Sequence, residues 1–236
     1  MKSIAILIAA IAVLACSVST ASVQELQERN SAEIRERIRS AANVFVDAVV
    51  ERLRKYALEH SLEPLAVPDL TRKFTVTIFG AEAEGFLYLT NGWLRDLITL
   101  LRSGEADVEF VGDLVHISTD LVFERLHLDY DFRVSVFGLQ PSGELLGRAE
   151  GLRIAVVLNA DLTTFRTTLS RFTVVGAKNI AVEAVGGGLP SDLLNTLIDL
   201  VKPYIQDDIL SFIEEKMKST LEDALVDFDI SEIIDL

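Results

Sequence analysis

The sequence is poor in cysteine, tryptophan and proline, with one, one and five residues among 236. The single cysteine, Cys16, lies in an N-terminal apolar segment, so a disulfide framework is excluded as the source of stability. The low glycine and proline contents exclude collagen-like and low-complexity chains. Half of the residues are apolar, which excludes a disordered chain. A chain of this length can bury a sizeable core, so its stability rests on packing.

Basic residues are too few to balance the acidic ones. The 22 Lys and Arg residues stand against 36 Asp and Glu, which gives a formal net charge of −14. Nucleic acids and anionic membranes both recruit proteins through Lys and Arg. The charge therefore argues against a nucleic-acid partner and against electrostatic docking on anionic membranes, and it favours a partner that is neutral, apolar or basic.

Residues 1–21 have the pattern of a secretory signal peptide, in which Lys2 precedes an uncharged apolar run and small residues end the segment. We expect cleavage after Ala21, a secreted extracellular protein and a mature single domain over residues 22–236 with a net charge of −15. The apolar run is too short to span a bilayer, so we expect no stable membrane insertion. Lipid attachment at Cys16 is the alternative for a bacterial source.

Residues 24–60 are predicted to form one long amphipathic helix. Apolar side chains recur there every three or four positions, which places them on one stripe of a helix with 3.6 residues per turn. The stripe consists of Ile34, Ile38, Ala41, Phe45, Val49, Leu53 and Tyr56. Such a helix packs on a protein core. A membrane-surface helix is the alternative, but this polar face mixes both charge signs instead of being dominated by Lys and Arg.

After Pro64 and Pro68, which disfavour helical geometry in the residues before them, the apolar period changes from 3.6 to 2. Residues 115–123 and 126–136 alternate most regularly and predict long strands, the second with one wet face. Further strands are predicted at residues 73–78, 84–94, 107–110, 144–159, 163–175 and 178–184. Long antiparallel strands with one apolar face must curl around something to bury that face.

The last helix is the element around which we expect the sheet to curl. A flexible break at residues 186–188 precedes it, Ser191 or Asp192 is a suitable N-cap, and Pro203 should bend it. Its apolar stripe is broad through residue 213, which indicates an enclosed helix. The predicted fold class is α+β: a long curved antiparallel sheet rolled around a long C-terminal helix, with the N-terminal amphipathic helix packed outside.

The sequence lacks the motifs of catalysis. It contains no G-x-S-x-G elbow, no H-E-x-x-H and no P-loop, and the glycines at 186–188 have no nearby cation to hold phosphate. The three histidines, His60, His116 and His127, are isolated from one another. We therefore predict no enzyme, no cofactor and no metal site. A catalytic triad assembled by the fold from distant residues is the remaining enzymatic alternative.

Four stretches, in their order and spacing, resemble the group 7 mite allergen family and its insect homologues. They are Val67-Pro68-Asp69 through Lys73-Phe74; Asn91, Arg95 and Leu97 with the run from Leu101 to Val108; Asp129-Tyr130-Asp131; and Gly187-Gly188-Leu189. That family is similar in fold to the half-barrels of bactericidal/permeability-increasing protein and to the juvenile-hormone-binding and takeout proteins. The resemblance implies an apolar cavity between the rolled sheet and the final helix.

Two departures restrict what the resemblance implies about a ligand. The hormone carriers usually have an N-terminal disulfide, which the mature chain would lack. The bactericidal proteins are strongly basic, whereas this chain is acidic, and its charge disfavours lipopolysaccharide.

The residues and the resemblance together predict a secreted carrier for a hydrophobic small molecule or lipid. Candidate walls of its cavity were chosen by apolar parity. They are Phe86, Trp93, Leu97, Phe110, Leu128, Phe132, Phe172, Leu197, Ile205 and Phe212. The alternative is a secreted protein–protein interaction module, in which the helix at 24–60 engages a partner or a second copy and the interior holds no ligand cavity.

Overall fold

The computed structural model describes residues 20–78, 80–186, 188 and 191–226. The elements are helix α1 (Thr20–Glu59), strands β1 (Leu65–Val67), β2 (Leu70–Ile78) and β3 (Ala81–Arg95), a 3₁₀ turn (Leu97–Thr99), strands β4 (Leu100–Val111), β5 (Leu114–Val136), β6 (Ser142–Asp161), β7 (Thr167–Gly176) and β8 (Asn179–Gly186), and helix α2 (Ser191–Leu225). The predicted α+β class is confirmed. The predicted signal segment, apart from residues 20 and 21, lies outside the described residues.

The eight strands form one antiparallel sheet with β5 as its spine. Strand β6 pairs with β5 along nearly the whole length of both strands. The other edge of β5 is shared, because β4 pairs with its first half and β3 with its second. The outer edge of β6 is shared by β7 and β8 in the same way, and both β1 and β2 pair with β3.

The two alternating runs predicted at 115–123 and 126–136 are segments of the single strand β5. The buried positions are odd-numbered up to Phe123 and even-numbered from Leu126 onward, with two exposed residues between them. On β6 the parity changes at the same level, at Gly151, whose φ of 60° favours glycine. Both segments contribute to one continuous core. We call the part built on 114–123 the first half-sheet and the part built on 126–136, with β1, β2, β3 and β8, the second half-sheet.

Helix α1 packs on β4 and on the 3₁₀ turn. Phe45, Val49 and Leu53 of the predicted stripe are buried, as expected for a helix on a core. Ala41 is exposed, and its neighbour Ala42 is buried instead. The buried stripe is therefore rotated slightly from the predicted one, toward residues one position further along the helix.

Polar contacts fix α1 to β4, whose outer edge faces the helix. Arg102 forms two bonds to the carboxylate of Asp47, at 2.9 and 3.1 Å. The Oδ1 atom of Asn43 accepts a hydrogen bond of 2.8 Å from the backbone N–H of Ala106, beside a bulge in β4. The bond to Asn43 satisfies one backbone N–H of the free strand edge, which would otherwise be available for pairing with another strand.

Helix α2 packs against β7, β8 and β2, which lie at opposite sides of the sheet, so the sheet curls around this helix. The second half of the helix is buried most deeply. Its buried apolar residues are Ile209, Ile213, Met217, Leu221, Ala224 and Leu225. In the first half Leu194 and Ile198 are buried, and Pro203 lies between the two halves as the sequence indicates.

Candidate functional site

The candidate site is the seam between α2 and the inner face of the second half-sheet. Two small apolar cavities lie along it, of about 50 and 20 Å³. Apolar side chains around the larger one include Leu94, Leu126, Leu128, Ile180, Val182, Ile209 and Ile213. The smaller one is surrounded by Phe74, Leu87, Phe132, Val134, Leu145, Ala184, Leu194 and Ile198. The seam therefore offers apolar contacts and almost no hydrogen-bonding groups.

The volume of the seam is small. About 10–15 Å³ is enough for one water molecule, whereas pockets for drug-sized ligands measure about 300–1,000 Å³. A ligand such as an acyl chain would therefore have to separate α2 from the sheet before it could enter.

The first half of α2 is the part best placed to move. Pro203 has no backbone N–H, so it removes one hydrogen bond of the helix and weakens the connection between the two halves. Two polar contacts hold the helix near the larger cavity. Arg72 pairs with Asp208, and the carboxylate of Glu214 accepts a 2.8 Å hydrogen bond from the backbone N–H of Val174.

The structure brings only some of the predicted wall residues to the seam. Leu128 and Phe132 are buried there, one at each cavity. Phe172 is buried on β7, the strand of the first half-sheet that α2 contacts, and Phe212 is half-buried on α2 itself. Leu97 is buried at the 3₁₀ turn, which packs against α1. Leu197 and Ile205 belong to α2, and their side chains lie outside the described residues.

Three predicted walls require correction. Phe86 and Trp93 are 38% and 42% exposed on the outer face of β3, opposite to the buried Leu87 and Leu94. Phe110 pairs with the buried Val115 and so has inward parity, but it is 57% exposed at the end of the strand. These three side chains do not line the interior.

Apolar parity predicted Phe86 and Trp93 on the inner face of β3, but both lie on its outer face. The inward positions carry leucines, and a shift in register between Thr90 and Trp93 changes which parity faces inward. Leu87 and Leu94 were missed for this reason. The alternation of Leu87 and Leu89 was the available signal for the inward face, and the Asn91-Gly92 pair was the available signal for the shift that follows.

Tyr130 is the principal polar side chain on the inner face of β5. It is buried, and its hydroxyl donates a 2.7 Å hydrogen bond to the carbonyl oxygen of Pro68. Burial, and then the nearby carboxylate of Asp69, raise the pKa of Tyr130 above its ordinary value. The hydroxyl therefore stays neutral and joins β5 to the chain before β2.

Across the described ranges, no three His, Cys, Asp or Glu side chains are grouped as a metal ion would require. No helix within those ranges combines the length and the apolar character needed to cross a bilayer.

Comparison with known proteins shows a family match and several similar proteins. The model of the Group 7 allergen family matches residues 41–225. Mite allergen Der f 7 from Dermatophagoides farinae is 22% identical over 180 residues, which is 72% of this chain and 84% of that protein.

Two solved structures are similar as well. That of a lipopolysaccharide binding protein covers 80% of this chain at 16% identity, with a TM-score of 0.51. This chain spans only 38% of the length of that protein. Takeout 1 from Epiphyas postvittana covers 79% of this chain at 12% identity, with a TM-score of 0.47, and the alignment takes in 93% of Takeout 1.

The family match covers most of the described chain, from the middle of α1 to the end of α2. The structural likeness to the lipopolysaccharide binding protein independently supports the architecture, a long antiparallel sheet with a helix from each end of the chain packed against it. The chain belongs to the Group 7 allergen family.

Proposed function

We propose that this protein binds a hydrophobic small molecule or a lipid, with the apolar part of the ligand between α2 and the second half-sheet. The observation that carries the proposal is the pair of apolar cavities along one seam closed by a single helix. The similar structure of a protein named for binding lipopolysaccharide supports it. The family is one of allergens, and we propose no catalytic activity for the chain.

Ligand entry would proceed by displacement of the first half of α2. Burial of one methylene group contributes about 0.8 kcal/mol, so ten methylenes contribute roughly 8 kcal/mol before ordering costs. Leu194 and Ile198 are the buried side chains that leave the sheet when this part of the helix moves. The ligand would then replace the contacts that these two side chains make.

The charge of the protein limits the polar part of the ligand. A net charge of −14 repels a polyanion, so lipopolysaccharide itself is disfavoured. Gln206, half-buried beside the larger cavity, presents a neutral amide that can bond to a hydroxyl or carbonyl group. An uncharged or weakly charged lipid is the ligand class that fits best.

The test is titration of the delipidated and refolded protein with a fluorescent long-chain fatty acid and, in parallel, with the matching fatty alcohol. We expect saturable binding at micromolar concentration. Ala184→Leu fills the smaller cavity and should weaken binding by about tenfold, whereas Ala66→Leu makes the same change on an exposed strand position and should not. Absence of saturable binding by either ligand would remove the proposal.

A second candidate function is supported by how closely the interior is packed. Cavities of about 50 and 20 Å³ are what a filled core leaves, and a filled core is expected of a protein–protein interaction module without a ligand. The long polar face of α1 would then supply the contact surface. The same titration separates the two functions, since an interaction module gives no saturation in wild type and no difference between the two Ala→Leu variants.

We also propose that the protein is secreted after removal of residues 1–21, which leaves residues 22–236 as the mature domain. The proposal rests on Lys2, the apolar run and the small residues that end the segment. Expression of the full chain in insect cells, followed by N-terminal sequencing of the medium fraction, should give a chain that begins at Ser22. Retention of Met1, or a lipid on Cys16, would contradict this proposal.

A further inference from the structure

The outer face of the second half-sheet has a concave surface that the proposed function does not use. Two depressions, of about 540 and 530 Å³, lie side by side on β3, β5 and β6 and share Asn91, Asp131 and Glu144. Trp93 lines one of them and Tyr88 the other. We call this surface, defined by these five residues, the outer groove. It lies on the side of the sheet opposite to α2.

Three aromatic side chains follow β3 on this face: Tyr88 and Trp93 lie in the groove, and Phe86 lies beyond its end. Phe86, Tyr88 and Trp93 are 38%, 37% and 42% exposed, and the rings of Phe86 and Tyr88 stack with their centroids 6.3 Å apart. With a bulge between Tyr88 and Trp93, the strand rise places the first and last rings roughly 20 Å apart. A row of this length is suited to an extended ligand that passes over several rings.

The backbone of β3 departs from regular geometry where it presents Trp93. The register shifts between Thr90 and Trp93, and Asn91 has a φ of 54°. A Cβ atom on Gly92 would lie 2.3 Å from Cε1 of Tyr130, so only glycine fits at this bulge. Bulges that re-aim a side chain and residues held at positive φ are both found preferentially at functional sites.

Side-chain contacts hold this bulge in place. The amide nitrogen Nδ2 of Asn91 donates a 2.7 Å hydrogen bond to Asp131, and its backbone N–H donates one of 3.2 Å to Asp69. The direction of Trp93 is therefore determined by its surroundings and does not depend on a ligand.

The charges that line the two depressions nearly cancel, since Arg95 and Arg133 stand against Asp129, Asp131 and Glu144. Arg95 forms a 2.7 Å ion pair with Asp129, and Asp131 accepts the bond from Asn91. A surface whose positive and negative charges nearly cancel attracts neither a polyanion nor a polycation strongly. It still presents carboxylate oxygens, an amide and a guanidinium, which are donors and acceptors for a neutral polar ligand.

We propose that the outer groove binds a neutral oligosaccharide. The C–H faces of a sugar ring pack on aromatic rings, and its hydroxyl groups bond to carboxylate, amide and guanidinium groups beside them. The groove places these two kinds of group on adjacent strands. The polar residues of the groove are Asn91 and Arg95 on one strand and Asp129 and Asp131 on the next, and none of them lines the inner seam.

Fluorescence provides a direct test, because Trp93 is the only tryptophan of the chain. Full-length mature protein is titrated with uncharged hexasaccharides of β-1,4-linked glucose, β-1,4-linked N-acetylglucosamine and α-1,4-linked glucose. We expect at least one to give a saturable blue shift of the Trp93 emission, with a dissociation constant of about 1 mM or lower. If none produces saturation up to roughly ten times that concentration, the proposal is overturned.

Variants separate groove binding from non-specific effects. Tyr88→Ala and Glu144→Gln should each weaken binding by about fivefold or more, while Phe110→Ala, a truncation of an exposed aromatic elsewhere, should leave it unchanged. Calorimetry with Trp93→Ala should show no binding. Unaltered affinity in Tyr88→Ala and Glu144→Gln, or preferential binding of a Lys-rich peptide over every sugar, would overturn the proposal.

Ala184→Leu should retain full sugar affinity, so loss of lipid binding and loss of sugar binding remain distinguishable.

Discussion

Replacement of Tyr130 by Phe tests how the inner face is held together. The substitution removes a hydroxyl that donates a 2.7 Å hydrogen bond to the carbonyl of Pro68 and leaves the buried ring in place. A neutral hydrogen bond of this kind contributes about 1 kcal/mol net to the free energy of unfolding. Because Pro68 is exposed, water can reach its carbonyl in the variant, so we expect a loss near that figure at pH 7 and no larger.

The size of this loss should depend on pH, with a sign that follows from the pKa of Tyr130. Burial and Asp69 raise the pKa in the folded state above its ordinary value, so the folded protein keeps the phenolic proton longer than the unfolded chain does. The stability that the neutral hydroxyl provides is complete below the unfolded pKa of about 10 and is lost as the pH rises beyond it, by about 1.4 kcal/mol per pH unit. The Phe variant has no such loss.

The two stability curves should therefore cross. At pH 7 the free energy of unfolding of the wild type exceeds that of Tyr130→Phe by about 1 kcal/mol. Near pH 10.7 the wild type has lost about this much stability, and above that pH Tyr130→Phe becomes the more stable protein. Urea unfolding followed by far-UV circular dichroism between pH 7 and 11.5 measures both curves. All other titrating groups are common to both proteins, so they cancel in the difference.

The control is Tyr88→Phe on the outer face, where the side chain is 37% exposed. This variant should stay within about 0.5 kcal/mol of wild type across the same range. Two results would refute the assignment of a buried, neutral Tyr130. One is a difference in the free energy of unfolding between wild type and Tyr130→Phe that is the same at every pH, and the other is a difference that grows with pH in favour of the wild type.

Three further predictions concern other contacts of the fold. Gly92→Ala should lower the free energy of unfolding by about 2 kcal/mol or more in urea titrations, because the new Cβ would lie 2.3 Å from the ring of Tyr130. Arg102→Lys should lower the free energy of unfolding by about 0.5 kcal/mol, since a lysine cannot reproduce the two bonds to Asp47. The thermal midpoint of this variant should depend less on salt concentration than the midpoint of the wild type. Two backbone N–H groups hold the pKa of Asp161 in the folded protein below its usual range. The stability that the ionised carboxylate gives the folded state is therefore complete above the unfolded pKa of about 3.9 and is lost as the pH falls through the folded pKa. Asp161→Asn should therefore show a shallower decline in acid unfolding curves than wild type; an unchanged decline would contradict this.

The sequence predicts the elements whose patterns are local. The regular alternation on either side of residue 124 marks β5, and Ser191 begins α2 where an N-cap was expected. Strand β4 is an exception, since it begins at Leu100 whereas only residues 107–110 were predicted. Its middle contains Gly104 and a bulge, so its apolar period is interrupted and becomes apparent only when it is paired with β5.

The candidate site was predicted less well because its geometry depends on contacts between distant elements. Leu128 and Phe132 could be assigned to the inner face because β5 alternates without a break beyond residue 126. The faces of β3 could not be assigned by parity alone, since Phe86 and Leu87 are both large and apolar and only the packing of α2 decides which is buried. The volume of the seam depends on side chains from several strands and from α2, and a difference of one methyl group is significant there.

Under the proposed function, the narrowness of the seam sets a minimum chain length for the ligand. Displacement of the first half of α2 exposes Leu194 and Ile198, at about 2 kcal/mol each, and association costs at least a further 4 kcal/mol or so. At about 0.8 kcal/mol per methylene, a ligand needs roughly ten buried methylenes to offset both terms. Small aromatic odorants and short acids fall below this threshold, whereas long-chain lipids exceed it. The proposed binding mode would therefore select for chain length, because the side chains around the two cavities are almost all apolar.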